Sequence, residues 1–151
     1  MTAHCHVELL DLTDTATARQ VFELQRAAYQ VEADLIGFDG IPPLHETFDD
    51  LVAQPLTWIG VRQADRVVAA LAYALDGEYC DIDRLVVDPD HFGRGYASAL
   101  VASLLGYRHI TVSTGTANAP ARRLYEKHGF QPTGEREIAP GVTVTQYERR
   151  T

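Results

Sequence analysis

The sequence predicts an α/β chain, mixed α+β in arrangement, with a central, mostly antiparallel mixed sheet of six to seven strands flanked by about four helices. Three observations carry that expectation. The first half alternates β-rich runs with short polar turns, which is the signature of hairpins. The second half changes to strand, helix, strand, helix, an order that brings two strands parallel through a crossover. The chain has 151 residues, 46% of them apolar and 23% charged. That is enough for one hydrophobic core, and a single domain over 1–151 is expected.

The elements follow in order. A strand at residues 6–10 leads into a helix capped near Thr13 or Asp14. Its apolar positions Val21, Leu24, Ala28 and Val31 recur at helical spacing, and it is expected to end near Asp34. Two glycines and the Pro42-Pro43 pair within 36–43 then stop any helix, and Thr47-Phe48-Asp49-Asp50 offers a capping box for a short second one. Runs 56–62 and 67–75 read as an antiparallel hairpin, and Asp76-Gly77-Glu78 turns the chain into a third run, 79–87. After Asp88-Pro89, Gly93 and Gly95 precede a helix over 96–105. A short strand over 109–113 comes next, then a helix with Pro120 near its first turn and Gly129 as its stop. Runs 133–138 and 143–148 flank Ala139-Pro140-Gly141 as a closing hairpin.

Thirteen basic against twenty-one acidic side chains leave a net charge of −8. Such a surface offers no sequence-independent hold on nucleic-acid phosphates or anionic lipid, so neither partner is expected and the ligand is expected to be small or cationic. The longest apolar run, 67–75, is far too short to span a membrane, and the first residues lack the basic start of a signal peptide. A cytoplasmic location is the expectation. Cys5 and Cys80 make no disulfide framework and should be free thiols. His4-Cys5-His6 lacks a second pair of ligands at zinc spacing, so no metal is expected.

Two stretches carry chemistry. Val86 to Leu100 places a strand, a glycine turn and a helix start in succession. Such a turn aims free backbone N–H groups at one spot, where a phosphate or pyrophosphate is the natural ligand; Phe92, Gly93, Arg94, Gly95, Tyr96, Ala97 and Ser98 form it. Gly95 would let the backbone come close, and Arg94 could add a charged contact. The alternative is a tight strand-to-helix turn with no ligand. The stretch lacks the third glycine of a Rossmann fingerprint and the Gly-Lys-Ser/Thr ending of a Walker loop. The second stretch runs from Asn118 to Phe130, and Asn118 and Tyr125 are seven residues apart. On one helix they would share a face, about 10 Å apart along the axis.

Together the two stretches resemble the GNAT superfamily of acyl-CoA-dependent N-acyltransferases. Its hallmarks are a Gln/Arg-x-x-Gly-x-Gly/Ala turn and a later Asn-x-x-Ala-x-x-x-Tyr-x-x-x-Gly-Phe run. The second is complete here at Asn118, Ala121, Tyr125, Gly129 and Phe130. In the first, Gly95 and Ala97 match, while Phe92 stands where the family has Gln or Arg. Because the turn holds pyrophosphate mainly through backbone N–H groups, that departure bears on affinity rather than on fold.

The resemblance implies an acetyl-CoA co-substrate, no metal, and transfer to an amine in a ternary complex. It implies that Asn118, with Ala121 beside it, contacts the pantetheine and that the Tyr125 hydroxyl protonates the departing thiolate. Residue by residue, an N-cap for Asn118 and ordinary packing for Tyr125 are the plainer roles. The resemblance also implies an oxyanion donor in a backbone N–H of the fourth strand, where a bulge splays it from the next strand; Leu85, Val86 and Val87 occupy that position. An ammonium must also lose a proton before it attacks. Strict alternation would put Asp81 and Asp83 on the face of Leu85 and Val87, and Asp81 is the position matching the base of some family members. Asp83, a loop acid and water remain open beside it. For the acceptor, the acidic and aromatic segment with Tyr29, Glu32, Phe38 and Glu46 suits a cationic amine. No cysteine falls in these motifs, which disfavours a covalent acyl-enzyme. The other function class left open is a CoA-responsive binding module of the same fold; the assembly is expected to be a monomer or a homodimer.

Overall fold

The structure is a computed structural model and describes residues 5–151. Strand β1 (Val7–Leu10) enters helix α1 (Thr15–Ile36) through an N-cap at Asp14, whose carboxylate accepts from the Thr17 N–H and hydroxyl at 3.3 and 2.7 Å. The helix continues two residues past Asp34. Its stop is Gly37, left-handed at φ 71°, whose N–H reaches back to the Ala33 carbonyl. The segment expected to be free of helix contains a 3-10 turn, Pro42–His45, with proline at its first position. Helix α2 (Phe48–Ala53) begins with the anticipated capping box between Thr47 and Asp50.

Three strands then form a meander: β2 (Thr57–Gln63), β3 (Arg66–Asp76) and β4 (Tyr79–Val87). A 3-10 turn at Pro89–His91 leads to α3 (Tyr96–Ala102), three residues shorter than its apolar pattern suggests. The Ser103 hydroxyl bonds the Leu100 carbonyl at 2.7 Å, and Leu104 and Leu105 continue only as turns bonded to Val101 and Ala102. Strand β5 (His109–Gly115), helix α4 (Ala119–Lys127) and the hairpin of β6 (Gln131–Ala139) and β7 (Val142–Arg150) complete the chain.

All seven strands join one sheet in the order β1-β2-β3-β4-β5-β7-β6. Each neighbouring pair is antiparallel except β4 and β5, which the α3 crossover makes parallel. One sheet face packs Leu71, Cys80 and Ile82 with Leu100 and Val101 of α3 and Tyr125 of α4. The other packs Trp58, Ala70, Ala72 and Val86 with Val21 and Leu24 of α1 and Leu51 of α2. Each Leu or Val buried in this way contributes about 2 kcal/mol.

The pleat of β4 departs from strict alternation. Ile82 faces Tyr73 and Arg84 faces Ala72, so Asp83 is an extra residue in the ladder, a β-bulge. Before the bulge, Cys80 and Ile82 point to the α3 and α4 face; after it, Leu85 and Val87 do. The expectation that Asp81 shares a face with Leu85 and Val87 therefore fails, because the bulge reverses the phase between them. The same reversal turns Arg84 and Val86 toward α1.

Candidate active site

Strands β4 and β5 are hydrogen-bonded only from Tyr79 and His109 to Ile82 and Val112. Beyond that point β4 follows β3, with Leu85, Val86 and Val87 opposite Leu71, Ala70 and Ala69, while β5 follows β7. The strands splay, and the edge of β4 from the bulge to Val87 has no strand partner on the β5 side. A largely apolar cleft of about 480 Å³ opens there. Its walls are Leu85, Val86 and Val87 of β4, Phe92, Gly93 and Ala97 of the glycine turn, Asn118, Pro120, Ala121 and Leu124 at α4, and the α1 face from Ala28 to Leu35.

A second cavity of about 230 Å³ lies further in, lined by Tyr125, Asp83, Arg84, Thr114 and Gly115 among others. The two adjoin along Tyr29, Glu32, Leu85, Asn118 and Ala121, which line both, and are together termed the passage.

At the outer end, Gly93 and Gly95 adopt left-handed φ of 76° and 82°, and Gly95 is the N-cap of α3. A Cβ at either would meet open space, so backbone conformation and not crowding calls for glycine. Among the described residues the backbone N–H groups from Gly93 to Ser98 donate to no protein acceptor. Several side chains of this turn are engaged away from the cleft. The Tyr96 hydroxyl accepts from Gln63 Nε2 at 3.0 Å, and the Ser98 hydroxyl meets His128 Nε2 at 2.8 Å. Arg94 is exposed, as is Phe92, which is 53% exposed and forms part of the cleft wall. Free amides at one end, apolar walls along the cleft and an unpaired strand edge fit a pyrophosphate joined to a pantetheine arm.

At the inner end, Tyr125 is 4% exposed and packs against the rings of Phe130 and Tyr147 at 5.5 and 6.2 Å. Burial, and after it the nearby Glu32 charge, push its phenol well above the ordinary range, so it stands as a neutral O–H donor. Asn118 is the N-cap of α4: its Oδ1 accepts from the Ala121 N–H at 3.2 Å, while Nδ2 donates to Glu32 Oε1 at 3.3 Å. The capping role foreseen as the plainer one is real, and it sets Asn118 in the passage with Tyr125.

The four acceptor candidates separate. Tyr29 and Glu32 line both cavities, with Tyr29 buried and its phenol pushed well up by that burial. Phe38 and Glu46 line neither. The Phe38 ring lies over Gly40. Glu46 accepts from Arg84 Nη1 at 2.9 Å and Gln25 Nε2 at 3.1 Å. Of the strand acids, Asp81 lies outside both cavities and accepts from the Thr111 hydroxyl at 2.6 Å, whereas Asp83 lines the inner one and is held by Arg84 Nε at 2.7 Å.

Sequence reasoning missed the buried polar group that braces this site. Gln25 is 0% exposed, accepts from Arg84 Nη1 at 3.0 Å and donates to the Pro43 carbonyl at 3.2 Å. Its signal was a lone amide between Leu24 and Ala28 on an otherwise apolar stripe. Arg84 lies over the Trp58 ring as well, 5.9 Å from its centre.

No group of three or more His, Cys, Asp or Glu is placed to hold a metal among the described residues, which do not include His4. Cys5 and Cys80 are free thiols, and burial followed by the Asp81 charge raises Cys80 to about 11. Among the described residues no helix is long and apolar enough to cross a membrane.

Comparison with known proteins bears on the whole arrangement. The ribosomal-protein-S18-alanine N-acetyltransferase of Escherichia coli superposes with a TM-score of 0.75 at 16% identity, over 97% of this chain and 94% of that one. An acetyltransferase of the GNAT family from Streptococcus pneumoniae gives 0.73 at 15%, over 98% and 100%. The yncA protein of Salmonella typhimurium, solved with its cofactor acetyl-CoA, gives 0.71 at 15%, over 98% and 94%. These likenesses show a shared fold. In sequence, the UPF0157 protein YqkA of Bacillus subtilis (strain 168) is 32% identical over 145 residues, 93% of this chain. The chain spans 42% of that relative's length. The family model described as Acetyltransferase (GNAT) family matches residues 18–130, three quarters of the sequence. The chain belongs to the GNAT acetyltransferase family.

Proposed function

We propose that the chain, acting as a single domain over 1–151, is an N-acetyltransferase that moves an acetyl group from acetyl-CoA to a primary amine of a small molecule or peptide. The observation that carries this reading is the passage itself: free amides at its mouth, an unpaired strand edge along it, and a buried neutral tyrosine at its inner end.

In this reading the amides of the turn from Phe92 to Ser98 hold the pyrophosphate, and the apolar walls exclude water along the arm. The bound co-substrate supplies an activated acetyl thioester. A β4 N–H on the unpaired edge, in the stretch of Leu85, Val86 and Val87, stabilises negative charge on the acetyl oxygen. Tyr125 gives its proton to the departing sulfur. A direct transfer needs no enzyme nucleophile, and neither cysteine lines the passage. The inner cavity favours a cationic acceptor, since its single guanidinium, on Arg84, is matched by two carboxylates, Asp83 and Glu46.

The test is a thiol-release assay with acetyl-CoA over a panel of small amines and peptides, run on the wild type and on Tyr125→Phe. Release that depends on an amine and falls in the variant supports the reading. A protein that binds acetyl-CoA and acetylates no amine of the panel is a CoA-responsive binding module instead.

A further inference from the structure

We propose that Glu32 is the base that takes the proton from the acceptor ammonium, and that its carboxylate holds that nitrogen at the inner end of the passage. This rests on the amine acetyltransferase reading above and identifies a group for which the sequence offered Asp81 first.

Four carboxylates on α1, β4 and the loop before α2 differ in what already holds them. Asp81 is outside it and occupied by the Thr111 hydroxyl at 2.6 Å. Glu46 does not line it, and one of its oxygens receives both Arg84 and Gln25. Asp83 lines it but is paired with Arg84 Nε at 2.7 Å. Glu32 lines both the inner cavity and the outer cleft, and its hydrogen-bond partner among the described residues is one neutral donor, Asn118 Nδ2, at 3.3 Å. A carboxylate in a partly apolar passage without a cation is costly unless something positive arrives to face it.

The surroundings of Glu32 fit proton transfer. Tyr29 stands on the preceding turn of α1, Tyr125 faces it from α4, and Asp83 with Arg84 come from β4. Arg84 is already matched by Asp83 and Glu46, so an entering ammonium meets a net negative cavity. Burial raises the Glu32 carboxyl above its ordinary value, with the Asn118 donation opposing it in part. A carboxylate of raised pKa is the better partner for an ammonium near 10, because the two proton affinities lie closer together.

The atoms balance. One proton passes from the ammonium to the Glu32 carboxylate, and the freed nitrogen lone pair attacks the acetyl carbon. The carbon–sulfur bond breaks with its electron pair on sulfur, which receives the Tyr125 proton. The second proton lost by nitrogen restores Tyr125, and Glu32 releases its own to solvent.

Glu32→Gln tests this, since the amide keeps the size of the side chain and an oxygen for Asn118. Expected are an unchanged melting temperature and acetyl-CoA affinity, a fall in kcat/KM for the amine of roughly 10²-fold or more, and loss of the acidic limb of the pH–rate profile. In the cofactor-free wild type, the Glu32 carboxyl carbon, identified by its absence from the variant's NMR spectrum, should titrate above the ordinary value of about 4.3. A titration at or below that value overturns the proposal, as does a variant that keeps both the rate and the acidic limb. A wild type that acetylates no amine overturns the enzymatic reading and this inference with it. An active wild type with an equally active variant overturns only the inference.

Discussion

Tyr125 keeps its proton because burial denies a phenolate the water that would stabilise it, and the neighbouring Glu32 charge adds to the effect. An acid held neutral in this way is available to donate around neutral pH. Tyr125→Phe removes the oxygen and leaves the ring to pack on Phe130 and Tyr147. Turnover should fall by roughly 10²–10⁴, the usual worth of a lost general acid, while acetyl-CoA affinity measured by calorimetry stays near that of the wild type. Unchanged turnover would make Tyr125 a packing residue. The pairing of Asn118 with Tyr125 was legible in the sequence because both lie on one short local unit, where spacing alone fixes their relation. Asp81 was misread for the opposite reason. Its face relative to Leu85 and Val87 depends on how β4 registers against β3, and a single extra residue at Asp83 reverses it.

At the scale of the element, two pieces of irregular backbone shape the passage. The first is the turn before α3. Gly95 sits at φ 82°, so Gly95→Val forces a β-branched side chain into a conformation costing about 1–2 kcal/mol and places bulk where the cofactor must approach. Acetyl-CoA affinity should drop by about tenfold or more, the equivalent of one charge-assisted hydrogen bond, in a variant whose circular dichroism remains native. Undiminished affinity in a folded variant would remove this turn from the cofactor site. The second is the segment from Gly37 to Thr47, which α1 and β4 hold through Gln25, Arg84 and Glu46. The Arg84 and Glu46 side chains are 6% and 9% exposed, so removing one leaves a buried charge short of its partner. Glu46→Ala should cost about 3 kcal/mol in denaturant unfolding and speed proteolysis within 37–47. A loss within experimental error would mean that Asp83 alone satisfies Arg84. The proline pair and the capping box announced a break and a restart here, but nothing local in the sequence revealed that a glutamine and an arginine far apart in the chain would meet across it.

Across the whole molecule, the succession of elements was readable because each strand and helix carries its own pattern. β-rich runs between polar turns marked the meander, Thr13 or Asp14 and then Thr47 marked helix starts, and Gly129 followed α4 as its stop. What the pattern leaves out is the third dimension of the sheet: that β4 and β5 pair for a few residues and then separate, and that β7 takes the place beside β5 where β4 leaves it. That separation makes the passage. Its position along β4, at the bulge, follows from long-range pairing and has no local signal, so only the family resemblance pointed to it.

The central claim is direct acetylation of an amine within this passage. The measurement that tests it most directly is mass spectrometry of protein and amine after a single turnover, with acetyl-CoA limiting and an amine chosen by the thiol-release panel. The account predicts an acetylated amine in amount equal to the CoA released and a protein of unchanged mass. An acetylated protein formed ahead of the product, or CoA released with no acetylated amine, would contradict it.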